Sequence, residues 1–127
     1  MRLVMSVLLL GAAVSACSST LDPAMLAGKW SQVEQIAGNS LEMTLTTSGS
    51  NVSGSGSWCG EAFRCGTLTV SGTVNGDAMH LDIAYDSGVI DHFDGRFSLP
   101  GTLDGSASTE VPGQVMPATH TMTFRRM

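Results

Sequence analysis

Charge is scarce in this sequence. Asp, Glu, Lys and Arg make up 13% of 127 residues, with 6 Lys plus Arg against 11 acids. A surface built for phosphates needs the opposite balance, so nucleic acid is set aside as a partner. Aromatic residues are few, with 2 Trp and 1 Tyr. Cysteine occurs 3 times without a CxxC pair, too sparse a set for a thiolate zinc site. GxSxG, HExxH and phosphate-loop motifs are absent, and no Ser or Cys nucleophile has a traceable base. Asp91 and His120 can be written as an acid–base pair, but nothing visible tunes them. The chain therefore reads as a non-enzyme that asks for no cofactor.

What is present is glycine, 15 residues of it, with Ser and Thr crowded through the middle. That composition suits short strands and tight turns in a single domain. The first segment stands apart. Met1–Ala16, MRLVMSVLLLGAAVSA, has one early cation at Arg2, an apolar run and then small residues, which is the pattern of a secretory signal. At its end Val14-Ser15-Ala16-Cys17 resembles the lipobox of bacterial lipoproteins. The resemblance implies cleavage before Cys17 and acylation of that residue, which anchors the chain to a lipid bilayer. Several acyl chains hold where one would be marginal. Ser18 stands where Asp would signal inner-membrane retention, so the resemblance points to the outer membrane. The expected organisation is a signal peptide over 1–16, a lipidated tether with a short helical turn over 17–27, and a β domain over 28–127. Within the tether, Asp22-Pro23 reads as N-cap and first helical residue, with Gly28 as terminator.

Cys59 and Cys65 remain, and in an oxidising envelope they read as a disulfide. Closing so short a loop constrains the unfolded chain by about 2–2.5 kcal/mol. Alternating segments recur roughly every ten residues: Lys29–Ile36, Leu41–Thr47, Ser50–Trp58, Gly66–Val74, Asp77–Tyr85, Val89–Leu99, Thr102–Ser108 and Thr119–Arg126. Pairing Cys59 with Cys65 places Trp58 opposite Gly66 and Gly54 opposite Val70. Two-residue turns at Ser48-Gly49 and Asn75-Gly76 then set Leu45 opposite Val52 and Val70 opposite Leu81. Three-residue loops at Asp86–Gly88 and Pro100–Thr102 set Leu81 opposite Phe93 and Phe97 opposite Gly105. One apolar face persists through seven strands without a forced slip. Eight antiparallel strands of this kind close most simply into an up-and-down β-barrel, with a β-sandwich as the alternative. Inward glycines at 54, 56, 72, 95 and 105 suit either sharp curvature or room for a ligand.

Gly28-Lys29-Trp30 at the head of the first strand resembles the GxW motif of lipocalins and related calycins. That resemblance implies an Arg from the last strand over Trp30, with Arg126 the first candidate and Arg125 the second. It also implies a cup for a small hydrophobic or amphipathic ligand. By alternation Trp58, Tyr85, Asp91 and His120 point inward at the rim opposite Trp30, and Glu34 joins them if the first strand alternates simply. Whether that interior is a cup or a filled core stays open. A second class of function is a protein-interaction or protease-inhibitor module for an envelope partner. It would use the braced loop 59–65 to present Phe63 and Arg64, whose preorganisation lowers the cost of binding. On the outer face Asp82 falls opposite His92, and His80 opposite Asp94. These read as exposed cross-strand ion pairs in preference to a metal site.

Overall fold

The computed structural model describes residues 22–33, 39–114 and 118–127. The segment expected to be a signal peptide, Cys17 and Glu34 lie outside the described residues. Eight strands form one closed antiparallel barrel in simple meander order: β1 (Gly28–Gln32), β2 (Ser40–Ser48), β3 (Asn51–Cys59), β4 (Cys65–Asn75), β5 (Ala78–Tyr85), β6 (Ile90–Ser98), β7 (Thr102–Glu110) and β8 (Ala118–Arg126). Closure comes from β1 pairing with β8, with Trp30 opposite Arg126 and Gln32 opposite Phe124. That ladder leaves no open sheet edge and rules out the sandwich.

The bridged hairpin has the register its cysteines dictate, Cys59 opposite Cys65 and Gly54 opposite Val70. Leu81 likewise faces Phe93. Three other registers differ from expectation by two residues. Leu45 faces Gly54 instead of Val52, Val70 faces Ile83 instead of Leu81, and Phe97 faces Leu103 instead of Gly105. In β6–β7 Ser98 pairs with Thr102, so the three-residue loop is Leu99–Gly101 and starts one residue earlier than expected. For the other two the cause is turn chemistry. Ser48 pairs with Asn51 and Asn75 with Ala78, so Gly49 (φ 59°) and Gly76 (φ 63°) hold the first central position of each turn. Glycine there matches a II′ turn, whereas the expected turns placed glycine second, as in I′. A slip of two residues keeps every side chain on its face, which is why the inward set survives the correction.

Side chains fill the interior from the floor upward. Trp30, Phe93, Phe124, Leu81, Ile83 and Leu103 have no solvent exposure. Phe93 and Phe124 meet edge to face with centroids 5.4 Å apart, a favoured aromatic geometry. The inward glycines do not line an empty space. A Cβ on Gly56 would sit 1.9 Å from the Glu42 carbonyl oxygen, and one on Gly72 1.9 Å from that of His80. At Gly105 the Asp94 carbonyl would be 2.0 Å away, and at Gly95 the Phe93 ring 2.4 Å. Gly56, Gly72 and Gly105 let neighbouring strands cross closely as the barrel curves, while Gly95 makes room for the Phe93 ring of its own strand.

A 3₁₀ turn, Pro23–Leu26, closes the floor. The Asp22 carboxylate caps it by accepting from the Ala24 N–H at 3.0 Å, as its position before Pro23 suggests. Leu26 is fully buried beneath the barrel. The Trp30 indole N–H donates to the Leu26 carbonyl at 2.8 Å, tying the turn to β1.

Candidate functional site

The barrel has two unlike ends. Trp30 and Arg126 lie at the floor, where tight turns join β2 to β3, β4 to β5 and β6 to β7. The Arg126 guanidinium sits 4.6 Å from the Trp30 ring centroid, within cation–π range. It also donates to the carbonyls of Ala27, at 2.9 Å, and Met25. Arg125 pairs with Ser31 and is exposed. Gly28 adopts φ 129°, and a Cβ there would press 3.0 Å from the Arg126 guanidinium. The floor is thus a closed structural plug.

The other rim carries an open cup of about 360 Å³ lined by Trp58, Tyr85, Ser87, Val89, Asp91, Thr109 and His120. Strand ends place these side chains. Trp58 is next to last in β3, Tyr85 is last in β5, and Asp91 is second in β6. Trp58 and Tyr85 meet edge to face at 6.1 Å. The Trp58 indole N–H donates to Asp86 at 2.9 Å, passing over Gly66, where a Cβ would lie 2.7 Å from the indole nitrogen.

Asp91 is the one buried charged residue among the described residues, 6% exposed. Both its oxygens are satisfied, by the Tyr85 hydroxyl at 2.7 Å and the Thr109 hydroxyl at 2.5 Å. Because Thr109 donates to Asp91, its oxygen is left to accept from His120 Nδ1, 3.3 Å away. The relay His120–Thr109–Asp91 orients the imidazole through its neighbour. Burial, followed by the neighbouring Asp91 charge, pushes the Tyr85 phenol well above its ordinary value. It stays a neutral donor. One wall of the cup is therefore aromatic, and the other is a hydrogen-bonded network around Asp91.

Of the sequence-derived rim set, Trp58, Tyr85, Asp91 and His120 come together here. Asp86 and Thr109 fall outside that set, as do the lining residues Ser87 and Val89. The indole N–H of Trp58 needs a partner when buried, which is the signal that leads to Asp86. Thr109 lies past the expected end of its strand at Ser108, but β7 continues to Glu110.

Beside the cup, Cys59 and Cys65 form a disulfide with Cα atoms 4.1 Å apart. The loop between them holds a short 3₁₀ turn, Glu61–Phe63, with Ala62 at φ 59°. Gly60 N–H donates to the Arg64 carbonyl at 2.7 Å. Arg64 is exposed. The position of the Phe63 side chain lies outside the described residues.

Outside the barrel, four side chains of β5 and β6 interlock with a fifth from β7. The Asp82 Oδ1 atom lies 2.6 Å from His92 Nδ1 and 2.9 Å from His80 Nε2. Asp94 meets His80 Nδ1 at 2.8 Å, and Glu110 meets His92 Nε2 at 2.9 Å. The Asp94 bond, then that of Asp82, raises the His80 pKa against partial desolvation. The Glu110 bond, then that of Asp82, raises His92. Burial works to raise Asp82, but the bonds from His92 and His80 together hold it below the usual carboxylate range.

No protein-family model and no curated protein sequence matches the chain. Among solved structures it is similar to a redesigned β-barrel, at 17% identity and a TM-score of 0.66, over 86% of this chain and 99% of that one. It is also similar to EF1p2_mFAP2b, solved bound to DFHBI, at 15% identity and a TM-score of 0.66, over 83% of this chain and 98% of that one. At such identities the likeness is one of fold, a closed eight-stranded barrel of nearly the same extent.

Proposed function

We propose that this chain is a non-enzymatic envelope lipoprotein, anchored in the outer membrane through acylated Cys17, whose barrel receives a small hydrophobic or amphipathic ligand at its rim. The observation that carries the binding reading is the cup, with an aromatic wall of Trp58 and Tyr85 facing the Asp91–Thr109–His120 network. Its volume of about 360 Å³ lies at the small end of the usual range of about 300–1,000 Å³. The filled core below restricts the ligand to the mouth. A buried carboxylate among neutral donors, on a chain of net charge −5, favours a neutral or cationic molecule over an anion. A barrel of the same fold, EF1p2_mFAP2b, holds DFHBI, which supports the capacity of this scaffold for a small molecule.

The uncharged probe N-phenyl-1-naphthylamine tests the cup. The two tryptophans lie at opposite ends, Trp30 fully buried and Trp58 part-exposed, so a rim ligand quenches Trp58 more strongly than Trp30. Saturable quenching is expected in the wild type, and the affinity read from the dye's own fluorescence is expected to fall at least about tenfold in Trp58→Ala through loss of the aromatic wall. Quenching that is absent, or a dye affinity unchanged in Trp58→Ala, removes the ligand reading. The anchor is tested separately: labelled palmitate is expected in the wild-type chain and missing from Cys17→Ala. Label retained by the variant would refute lipidation at that residue.

One observation favours a second reading, a protein-interaction or inhibitor module. The loop 59–65 is braced by its disulfide and holds the non-glycine Ala62 in the left-handed region, which is costly and marks a committed conformation. A loop so fixed presents Arg64 to a partner with little ordering cost.

A further inference from the structure

We propose a zinc site on the outer wall of the barrel, with His80 Nε2, His92 Nδ1 and an Asp82 carboxylate oxygen as ligands and solvent completing the sphere.

Strand pairing builds it. His80 and Asp82 are two apart on β5 and so share a face, while His92 stands directly opposite Asp82 on β6. The candidate ligand atoms all lie within 4.8 Å of one another. A tetrahedral zinc ion with bonds of about 2.0–2.1 Å holds its ligand atoms about 3.3 Å apart. The oxygen-to-nitrogen distances of 2.6 and 2.9 Å need to open only slightly to admit it. The three side chains are 37–42% exposed, so ion and water have access.

The second nitrogen of each ring distinguishes this cluster from ordinary surface pairs. Metal-bound imidazoles commonly donate that N–H to a carboxylate, which fixes tautomer and orientation. Here His80 Nδ1 is held by Asp94 and His92 Nε2 by Glu110. Glu110 reaches in from β7 as a diagonal neighbour of His92, since the residue opposite His92 is Ser108. Both rings therefore already have carboxylates behind them. Three carboxylates around two imidazoles also leave an excess of negative charge, which a dication offsets and which the sequence-derived pairs, lacking Glu110, did not show. Two nitrogen ligands favour zinc over calcium or magnesium, which take oxygen.

Calorimetry with zinc chloride on the tag-free full-length chain in detergent tests the site, with circular dichroism to verify folding of each variant. One zinc per chain is expected, lost in the double variant His80→Gln/His92→Gln. Asp94→Asn/Glu110→Gln retains all three ligands and is expected to bind about 10–100-fold more weakly. No uptake by the wild type, or uptake undiminished in the histidine variant, overturns the site. An unchanged affinity in the carboxylate variant also overturns it, because the backing carboxylates are what set this cluster apart.

Discussion

Trp30→Ala is expected to lower the unfolding free energy by about 3–5 kcal/mol, a large part of the roughly 5–15 kcal/mol typical of a domain. Three separate contacts end together. The indole has no solvent exposure and packs edge to face on Phe97 at 6.3 Å. Its N–H satisfies the Leu26 carbonyl, which holds the 3₁₀ turn under the barrel. Its face receives Arg126, which also ties β8 to the carbonyls of Ala27 and Met25. Trp30→Phe separates these effects, since it keeps most of the bulk but leaves the Leu26 carbonyl without its donor, at a cost of about 1–3 kcal/mol. Urea denaturation of the three proteins gives the comparison. A loss below about 1 kcal/mol for Trp30→Ala would mean that the floor plug does not stabilise the barrel.

Gly56→Ala is the second large effect. The added carbon would stand 1.9 Å from the Glu42 carbonyl oxygen and 2.8 Å from the Met43 Cα. Both belong to the backbone of β2, which cannot turn aside as a flexible side chain would. Overpacking usually costs about 1–3 kcal/mol, and a backbone shift propagated through the β2–β3 ladder puts this substitution at the upper end. Gly60→Ala is the control. Its nearest neighbour would be the Trp58 ring at 3.5 Å, an ordinary contact, and its φ of −125° suits any residue. A change within about 0.5 kcal/mol is expected there. Equal losses at the two positions, measured by thermal or urea unfolding, would contradict the assignment of the inward glycines to strand crossing.

The barrel was legible because period-2 alternation and the cysteine pair act together. Once Cys59 faces Cys65, the inward residues from Met43 to Gly105 follow by parity and loop length, and parity survives the two-residue slips at Gly49, at Gly76 and in the β6–β7 loop. The slips at the two glycines were not legible from the dipeptides, because Ser-Gly and Asn-Gly each fit a turn with glycine first or second. Rim alternation brought Trp58, Tyr85, Asp91 and His120 to one place. Their connections through Thr109 and Asp86 depend on where β7 ends and how the indole lies, and alternation specifies neither. Glycine was ambiguous for a similar reason. A missing side chain reads alike in sequence whether it makes room for a ligand or for a neighbouring carbonyl, and only the distances at Gly56, Gly72 and Gly105 distinguish them. On the outer wall, Asp82 opposite His92 followed from the loop length, while Glu110 arrives diagonally from a strand expected to stop at Ser108.

Rim binding is tested most directly by amide chemical-shift mapping of the full-length chain with N-phenyl-1-naphthylamine. The expected shifts centre on Trp58, Tyr85, Val89, Asp91, Thr109 and His120, with the floor turns at Gly49 and Gly76 unmoved. Shifts concentrated at the floor, or confined to Glu61, Ala62 and Arg64, or absent at saturating dye, would contradict a ligand held in the cup.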